Sequence, residues 1–198
     1  MLVYVSGGAK NGKSTFAQDL AVRLSGQGPL YYIATMVAKD EEDELRIARH
    51  VADRAGLGFT TLERGQDIIG LLADPGIPTG PAAIGNADPA GTFLLDSVTA
   101  LLSNVMFYQR EDGSFGFDEE AGEKVAQDLL AFADRVGGAG GSAVFVSDYL
   151  FSDARVFDAW TETYRRALAY VDRRLATRCD GVCEVTFGNI IWQKGGEA

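Results

Sequence analysis

Apolar residues recur along this chain in two ways: as short unbroken runs, and as longer stretches in which they return every three or four positions. The runs fit strands buried on both faces, and the longer stretches fit amphipathic helices. Leu2 to Val5 is such a run and ends in glycines. From Lys13 onward Phe16, Leu20 and Leu24 share a helical face, so strand, glycine loop and helix follow in order. Leu30 to Ala34 predicts a second strand. Asp40 to Ala55 predicts a helix whose acidic start complements the helix dipole and whose end is marked by Gly56 and Gly58. Phe59 to Leu62 reads as a short strand and Asp67 to Ala73 as a short helix.

Further along, Thr92 to Leu95 predicts a strand ending at Asp96, and Val98 to Gln109 a helix with Val98, Leu101, Leu102, Val105 and Met106 inward. Asp118 to Val136 predicts another helix, and Gly137 to Gly141 separates it from the run Ala143 to Val146, which stops at Ser147 and Asp148. A long helix reaching about Arg178 starts after Ser152 or Asp153, either of which has a capping side chain. Val182 to Phe187 and Ile190 to Gln193 predict a closing hairpin around Gly188 and Asn189. Runs alternating with helices, without a repeat or a linker, indicate one domain over residues 1–198. Its expected fold class is α/β, a mostly parallel central sheet with helices on both faces and a C-terminal antiparallel edge hairpin.

The stretch from Asp74 to Gly91 breaks the pattern. It holds Pro75, Pro78, Pro81 and Pro89, four of the five prolines in the chain, and reads as a long loop, either a binding lid or a mobile insertion, with its small-residue makeup favouring the mobile reading. The formal charge of -10 argues against a nucleic-acid or anionic-membrane partner, so any anionic ligand must be held by local donors. No stretch approaches the length of a membrane span, and no basic segment precedes the first apolar run, which fits a cytoplasmic protein. Cys179 and Cys183 are too few for a disulfide framework and lack the spacing of a structural zinc pair, so both are expected as reduced, buried thiols.

The chemistry sits in the first loop. Gly7, Gly8, Ala9, Lys10, Asn11, Gly12, Lys13 and Ser14 satisfy G-x-x-x-x-G-K-[ST], placed between strand and helix, and define a P-loop. Glycines let successive backbone amides turn inward around a phosphate, and the helix N-terminus through Thr15 adds its positive end. Lys13 is expected to reach the β- and γ-phosphates of ATP or GTP, and Ser14 to ligate Mg²⁺. Asp96 either orients that metal from the end of its strand or caps the helix that starts after it. His50, the only histidine, is either an inert surface group or a general base or phosphoramidate-forming nucleophile. Lys10, Arg46 and Arg49 either neutralise phosphates or pair with neighbours such as Glu42.

Together these segments resemble the bifunctional adenosylcobinamide kinase and adenosylcobinamide-phosphate guanylyltransferase family of cobalamin biosynthesis. The resemblance rests on Val5 to Ser14, on Tyr32-Ile33-Ala34-Thr35, and on Asp40, Glu42, Arg46 and Ile47. It continues in Leu94 to Thr99 with Leu102, Ser103 and Asn104, in Val146-Ser147-Asp148, and in the helix Tyr164 to Ala176. It implies a homo-oligomer, commonly a trimer. It also implies two reactions: phosphorylation of the adenosylcobinamide hydroxyl by a nucleoside triphosphate, then GMP transfer from GTP through a guanylylated histidine. Two departures stand out. The family's nucleophilic histidine falls on Arg49, with His50 one place later where a second histidine is common, and Asp148 to Asp153 replaces the stretch N-E-V-G-x-G-I-V-P. Two other functions stay open on these residues: nucleotide binding without turnover, and phosphorylation of another small alcohol.

Overall fold

The computed structural model describes residues 1–38, 41–72, 86–110, 112–150 and 155–196, except for the side chains of Arg46, Arg49, His50 and Asp53. Its elements in chain order are β1 (Leu2–Gly7), α1 (Lys13–Ser25), β2 (Leu30–Ala34), α2 (Glu41–Asp53), β3 (Thr60–Glu63), β4 (Thr92–Asp96) and α3 (Val98–Met106). Then come β5 (Phe107–Gln109), β6 (Phe115–Phe117), α4 (Ala121–Gly138), β7 (Ser142–Asp148), α5 (Ala159–Arg178), β8 (Gly181–Thr186) and β9 (Asn189–Lys194).

Seven strands form one sheet in the order β3-β2-β4-β7-β1-β8-β9. All neighbours run parallel except β8 and β9, which form the antiparallel hairpin at one edge. Period-two alternation along β1 splits the core. Leu2 and Tyr4 join the cluster under α3, α4 and α5, while Val3 and Val5 join the cluster under α1 with Phe16, Ala17 and Leu20. Both faces of the sheet are thereby covered, which is why its strands are apolar runs rather than alternating segments. Because all the parallel strands point the same way, the C-terminal ends of β1, β7, β4 and β2 open on one rim, the place where an open parallel sheet offers a ligand crevice.

Phe93 of β4 anchors the larger cluster. It stacks on Tyr31 with centroids 4.8 Å apart and meets Phe132 of α4 edge-on at 5.1 Å. Only 1% of it is exposed. Phe93→Ala is expected to cost about 3–5 kcal/mol of stability through the lost burial and the cavity left behind. Urea unfolding measures this, and a loss under 1 kcal/mol would show that the sheet relaxes around the site.

Four expectations need correction. The helix predicted to reach Gln109 ends at Met106, because Phe107 to Gln109 turns extended and pairs antiparallel with Phe115 to Phe117. Contact between the Phe107 and Phe117 rings, 5.3 Å between centroids, favours that small hairpin over another helical turn. In place of the short helix expected from Asp67, the described residues up to Leu72 form only a single 3₁₀ turn over Ile69–Leu71, since Asp128 of α4 accepts the amides of Ile68 and Ile69. The cap of α5 is Asp158, whose carboxylate accepts from the amides of Trp160 and Thr161; Ser152 and Asp153 lie outside the described residues. The closing turn centres on Phe187 and Gly188, with φ of 50° and 77°, one place before the expected pair. Of the loop expected over Asp74 to Gly91, residues 74–85 lie outside the described residues; beyond them, Ala87 bridges Leu72. Cys179 and Cys183 are buried and unbridged, and burial pushes both thiols up to about 12. Among the described residues, no helix is long and apolar enough to cross a membrane.

Candidate active site

The loop after β1 is shaped by backbone constraints. A Cβ on Gly7 would lie 2.6 Å from the carbonyl oxygen of Val185 on β8, so only glycine lets β1 pass β8 there. Gly12 has φ of 85°, left-handed, and starts α1 without a side-chain cap. The first amides of α1, at Lys13, Ser14 and Thr15, therefore have no side-chain acceptor at the cap and point into the cleft as donors for an anion.

Lys13 turns back across this loop. Its Nζ lies 2.6 Å from Oδ1 of Asp148 and donates to the carbonyl of Gly8 at 3.2 Å, with 9% of its side chain exposed. Asp148 ends β7, the strand between β1 and β4, and its backbone amide donates to Oγ1 of Thr99 at 2.8 Å. Asp96 ends β4 on the other side of β7 and accepts from the Tyr32 hydroxyl at 3.2 Å. Burial pushes that hydroxyl's pKa well up, the Asp96 carboxylate adds to the push, and Arg54 opposes it.

The cleft at this rim has a volume of about 600 Å³ and is lined by residues 9–15 with Met36, Asp96, Ser97 and Asp148. That size is ample for a nucleotide. Ala9, Lys10, Asn11, Gly12, Lys13, Ser14 and Thr15 all face it with Asp96, whereas Gly7 and Gly8 are not among the residues that line it; Gly7 ends β1, and the Gly8 carbonyl holds Lys13. His50 is on α2, but its side chain lies outside the described residues. Capping by Asp96 is overturned: the cap of α3 is Ser97, whose Oγ accepts from the amide of Ala100 at 3.2 Å. The carboxylate of Asp96 is thus turned to Tyr32 and the cleft.

The loop bearing Asp96 is braced from below. Oγ1 of Thr35 donates to the Ser97 carbonyl at 2.8 Å and accepts the Ser97 amide at 2.7 Å. Nδ2 of Asn104 donates to the carbonyls of Thr35 and Gly65, at 2.7 and 3.2 Å. The end of β2 is in this way locked to the turn between β4 and α3.

Behind Asp148 lies a buried carboxyl. Asp172 of α5 is 7% exposed, and neither of its oxygens meets a partner in hydrogen-bonding geometry among the described residues. Burial lifts its pKa from 3.8 to about 7; the nearby hydroxyls of Ser147 and Tyr4 pull it down, and the charge of Asp148 pushes it further up. The native state therefore keeps a proton that the unfolded chain releases above pH ~4. Stability falls as pH climbs from ~4 toward ~7, and the full cost is present above that window. Asp172→Asn is expected to flatten this segment of the stability profile and to raise stability at pH ~8 by about 2–4 kcal/mol. Urea unfolding across the window measures it, and parallel profiles for the two proteins would contradict the assignment.

Asp148 was not singled out by sequence reasoning, although the run that ends at it was. Only strand order places β7 beside β1 and so brings a carboxylate onto Lys13. Tyr32 was read only as part of the Tyr32 to Thr35 motif and not as a site wall, and Arg54 was not singled out, because nothing in its local pattern distinguishes a buried helix-end arginine from a solvated one.

A glycine loop between strand and helix, a lysine in its cradle and a carboxylate at the end of a nearby parallel strand define the P-loop nucleotide-binding α/β class. Residues 3–191 match the family described as cobinamide kinase / cobinamide phosphate guanyltransferase, and the chain belongs to that family, whose members are kinase and nucleotidyltransferase enzymes of cobalamin synthesis. It is 29% identical over 140 residues to the bifunctional adenosylcobalamin biosynthesis protein CobU of Escherichia coli (strain K12), covering 68% of this chain and 69% of that protein. Among solved structures, a KaiC-like protein from Pyrococcus horikoshii OT3 superposes with a TM-score of 0.48 at 13% identity, over 99% of this chain and 79% of the other. The flagellar accessory protein FlaH from Methanocaldococcus jannaschii does so with a TM-score of 0.44 at 14% identity, over 98% and 78%.

Proposed function

We propose that this enzyme phosphorylates the hydroxyl of adenosylcobinamide from ATP or GTP and then transfers GMP from GTP onto the phosphate it has made. The observation that carries the reading is the cleft in which Lys13, Ser14, Asp96 and Asp148 converge, in a chain whose family performs these reactions. The amides from Gly8 to Thr15 cradle the β-phosphate, and Lys13 exchanges Asp148 for the β- and γ-phosphate oxygens.

The oxygen donors fit Mg²⁺. The Ser14 hydroxyl and the Asp96 carboxylate are hard ligands on one cleft, and no cluster of three His, Cys, Asp or Glu among the described residues forms a cage independent of substrate. When bound, Mg²⁺ neutralises charge on the phosphate oxygens. Ser14 and Asp96 would hold the metal, and Asp96 or its neighbour Asp148 takes the proton as the acceptor oxygen bonds to the γ-phosphorus and the nucleoside diphosphate leaves.

In the second reaction a ring nitrogen of His50 attacks the α-phosphorus of GTP and pyrophosphate departs. An oxygen of the acceptor phosphate then attacks the guanylylated nitrogen's phosphorus, breaking the P–N bond. The course of α2 favours position 50 over 49 for this role. Ile47 lines a pocket at the same rim, and at 100° per residue the backbone at 50 lies within about 60° of position 47 while that at 49 lies about 160° away. The working form is a homo-oligomer, a trimer on the family pattern, in the cytoplasm.

The test is transfer of label from γ-labelled ATP or GTP to adenosylcobinamide in the presence of Mg²⁺. Labelled corrinoid phosphate is the expected product. Turnover with other alcohols alone would assign a different acceptor, and binding without turnover would make this a regulatory protein.

A further inference from the structure

A second cavity continues from the P-loop cleft toward β2. It holds about 60 Å³, several times what one water molecule requires, and its walls include Tyr32, Met36, Ile47, Arg54, Asp96 and Ser97. Met36, Asp96 and Ser97 also line the P-loop cleft, so the two spaces share a wall.

Arg54 dominates the far end. It directly follows α2, is 6% exposed, and its guanidinium carbon lies 3.5 Å from the centroid of the Tyr32 ring. Stacking satisfies the face of the cation but not its edge. Nε and Nη1, both buried, have no hydrogen-bond partner among the described residues. A guanidinium does not lose its proton in a protein, so this is a permanent buried charge with two donors unused among the described residues, an arrangement that lowers stability unless a ligand completes it.

The donors that remain match an oxyanion, because a guanidinium edge offers paired N–H groups at the spacing of two phosphate oxygens. The nucleotide's own phosphates are poorly placed to supply it. β2 lies three strand positions from β1, roughly 14 Å at the usual spacing, whereas the β- and γ-phosphates belong over the P-loop. The shared wall also has polarity. Asp96 draws a metal ion or a hydroxyl and repels an anion, so a negatively charged group settles at the Arg54 end.

Resting on the reading under Proposed function, we infer that this cavity is the phosphomonoester subsite of the enzyme, in which Arg54, stacked on Tyr32, grips the phosphate of the phosphorylated acceptor. Arg54 thereby distinguishes the product of the first reaction from its unphosphorylated precursor and presents that phosphate beside α2 for the second.

The experiment keeps the P-loop saturated with a non-hydrolysable GTP analogue and Mg²⁺ and follows the Nε–H resonance of Arg54 by NMR, assigned by its loss in Arg54→Lys. Inorganic phosphate, adenosylcobinamide and adenosylcobinamide phosphate are titrated in turn, with Arg54→Gln as the binding variant. Phosphate and the phosphorylated corrinoid are expected to shift the resonance saturably, and the unphosphorylated corrinoid to leave it in place. Arg54→Gln is expected to weaken adenosylcobinamide phosphate by about tenfold or more, through loss of a buried charge-assisted pair, with adenosylcobinamide and the GTP analogue changed less than about twofold. Its melting temperature is expected to hold or rise, since an unpaired buried charge is removed, and Arg54→Lys, which keeps the charge without the fork, is expected to fall between. Equal weakening of both corrinoids, or binding of the phosphorylated one with the resonance unmoved, overturns the subsite and leaves the proposed function standing. A response to phosphate when neither corrinoid binds retires the corrinoid substrate and keeps the subsite. Silence toward phosphate and both corrinoids overturns both.

Discussion

Lys13→Ala is expected to lower the initial rate of phosphoryl transfer on the order of 10³-fold, the scale for losing a preorganised donor aimed at developing transition-state charge. The residue is 7% exposed and is held toward the cleft by Asp148 and the Gly8 carbonyl, so its ammonium is positioned before any ligand arrives. Asp148 keeps 31% of its side chain in contact with solvent, so losing its partner costs only about 1 kcal/mol of stability. Rate and stability thus separate. A variant that folds normally and turns over within tenfold of wild type would mean that another cation carries the charge, and Lys10, exposed on the same loop, would be the first to examine.

His50→Ala separates the two reactions. It is expected to abolish the acid-labile, base-stable label that GTP leaves on the protein and to depress GMP transfer on the order of 10³-fold or more, while phosphorylation stays within about twofold. Incubation with α-labelled GTP, quenched and split between acid and base, reads the first effect directly. Equal labelling of wild type and variant would move the nucleophile elsewhere, and absence of label on the wild type would remove the covalent route.

The fold was legible because burial on both faces forces each parallel strand into an apolar run and each covering helix into a 3.6-residue rhythm. Runs starting at Leu2, Leu30, Thr92 and Ala143 sit in the sheet in mutual register: Val3 opposite Val144, Tyr31 opposite Phe93, Phe93 opposite Ala143. Errors came where tertiary contacts override local preference. Phe107 leaves a helical pattern to meet Phe117, and Phe187 takes a left-handed turn position that glycine or asparagine usually fills.

The site was half legible. A P-loop is a local motif, since its amides, lysine and serine are contiguous and its regex captures most of its physics. Its carboxylates are not local. Asp148 and Asp96 belong to the site because β7 and β4 succeed β1 in the sheet, an order set by crossovers that no window of sequence displays. Structure also divides the family's motifs by role. Thr35 and Asn104, read from the sequence as signature residues, prove to be braces that fix the turn after Asp96. Asp172 and Arg54 were invisible for a further reason: one is a charged residue on a polar helix and the other directly follows one, where a solvated place is the norm, and only packing reveals that they are buried.

Both proposed reactions require the amino-terminal loop to take a nucleoside triphosphate, and isothermal titration of the wild-type protein with GTP and with ATP in magnesium buffer tests that most directly. Saturable binding of one nucleotide per chain, lost in Lys13→Ala, is the result predicted. No heat with either nucleotide, from protein shown to be folded, would contradict it.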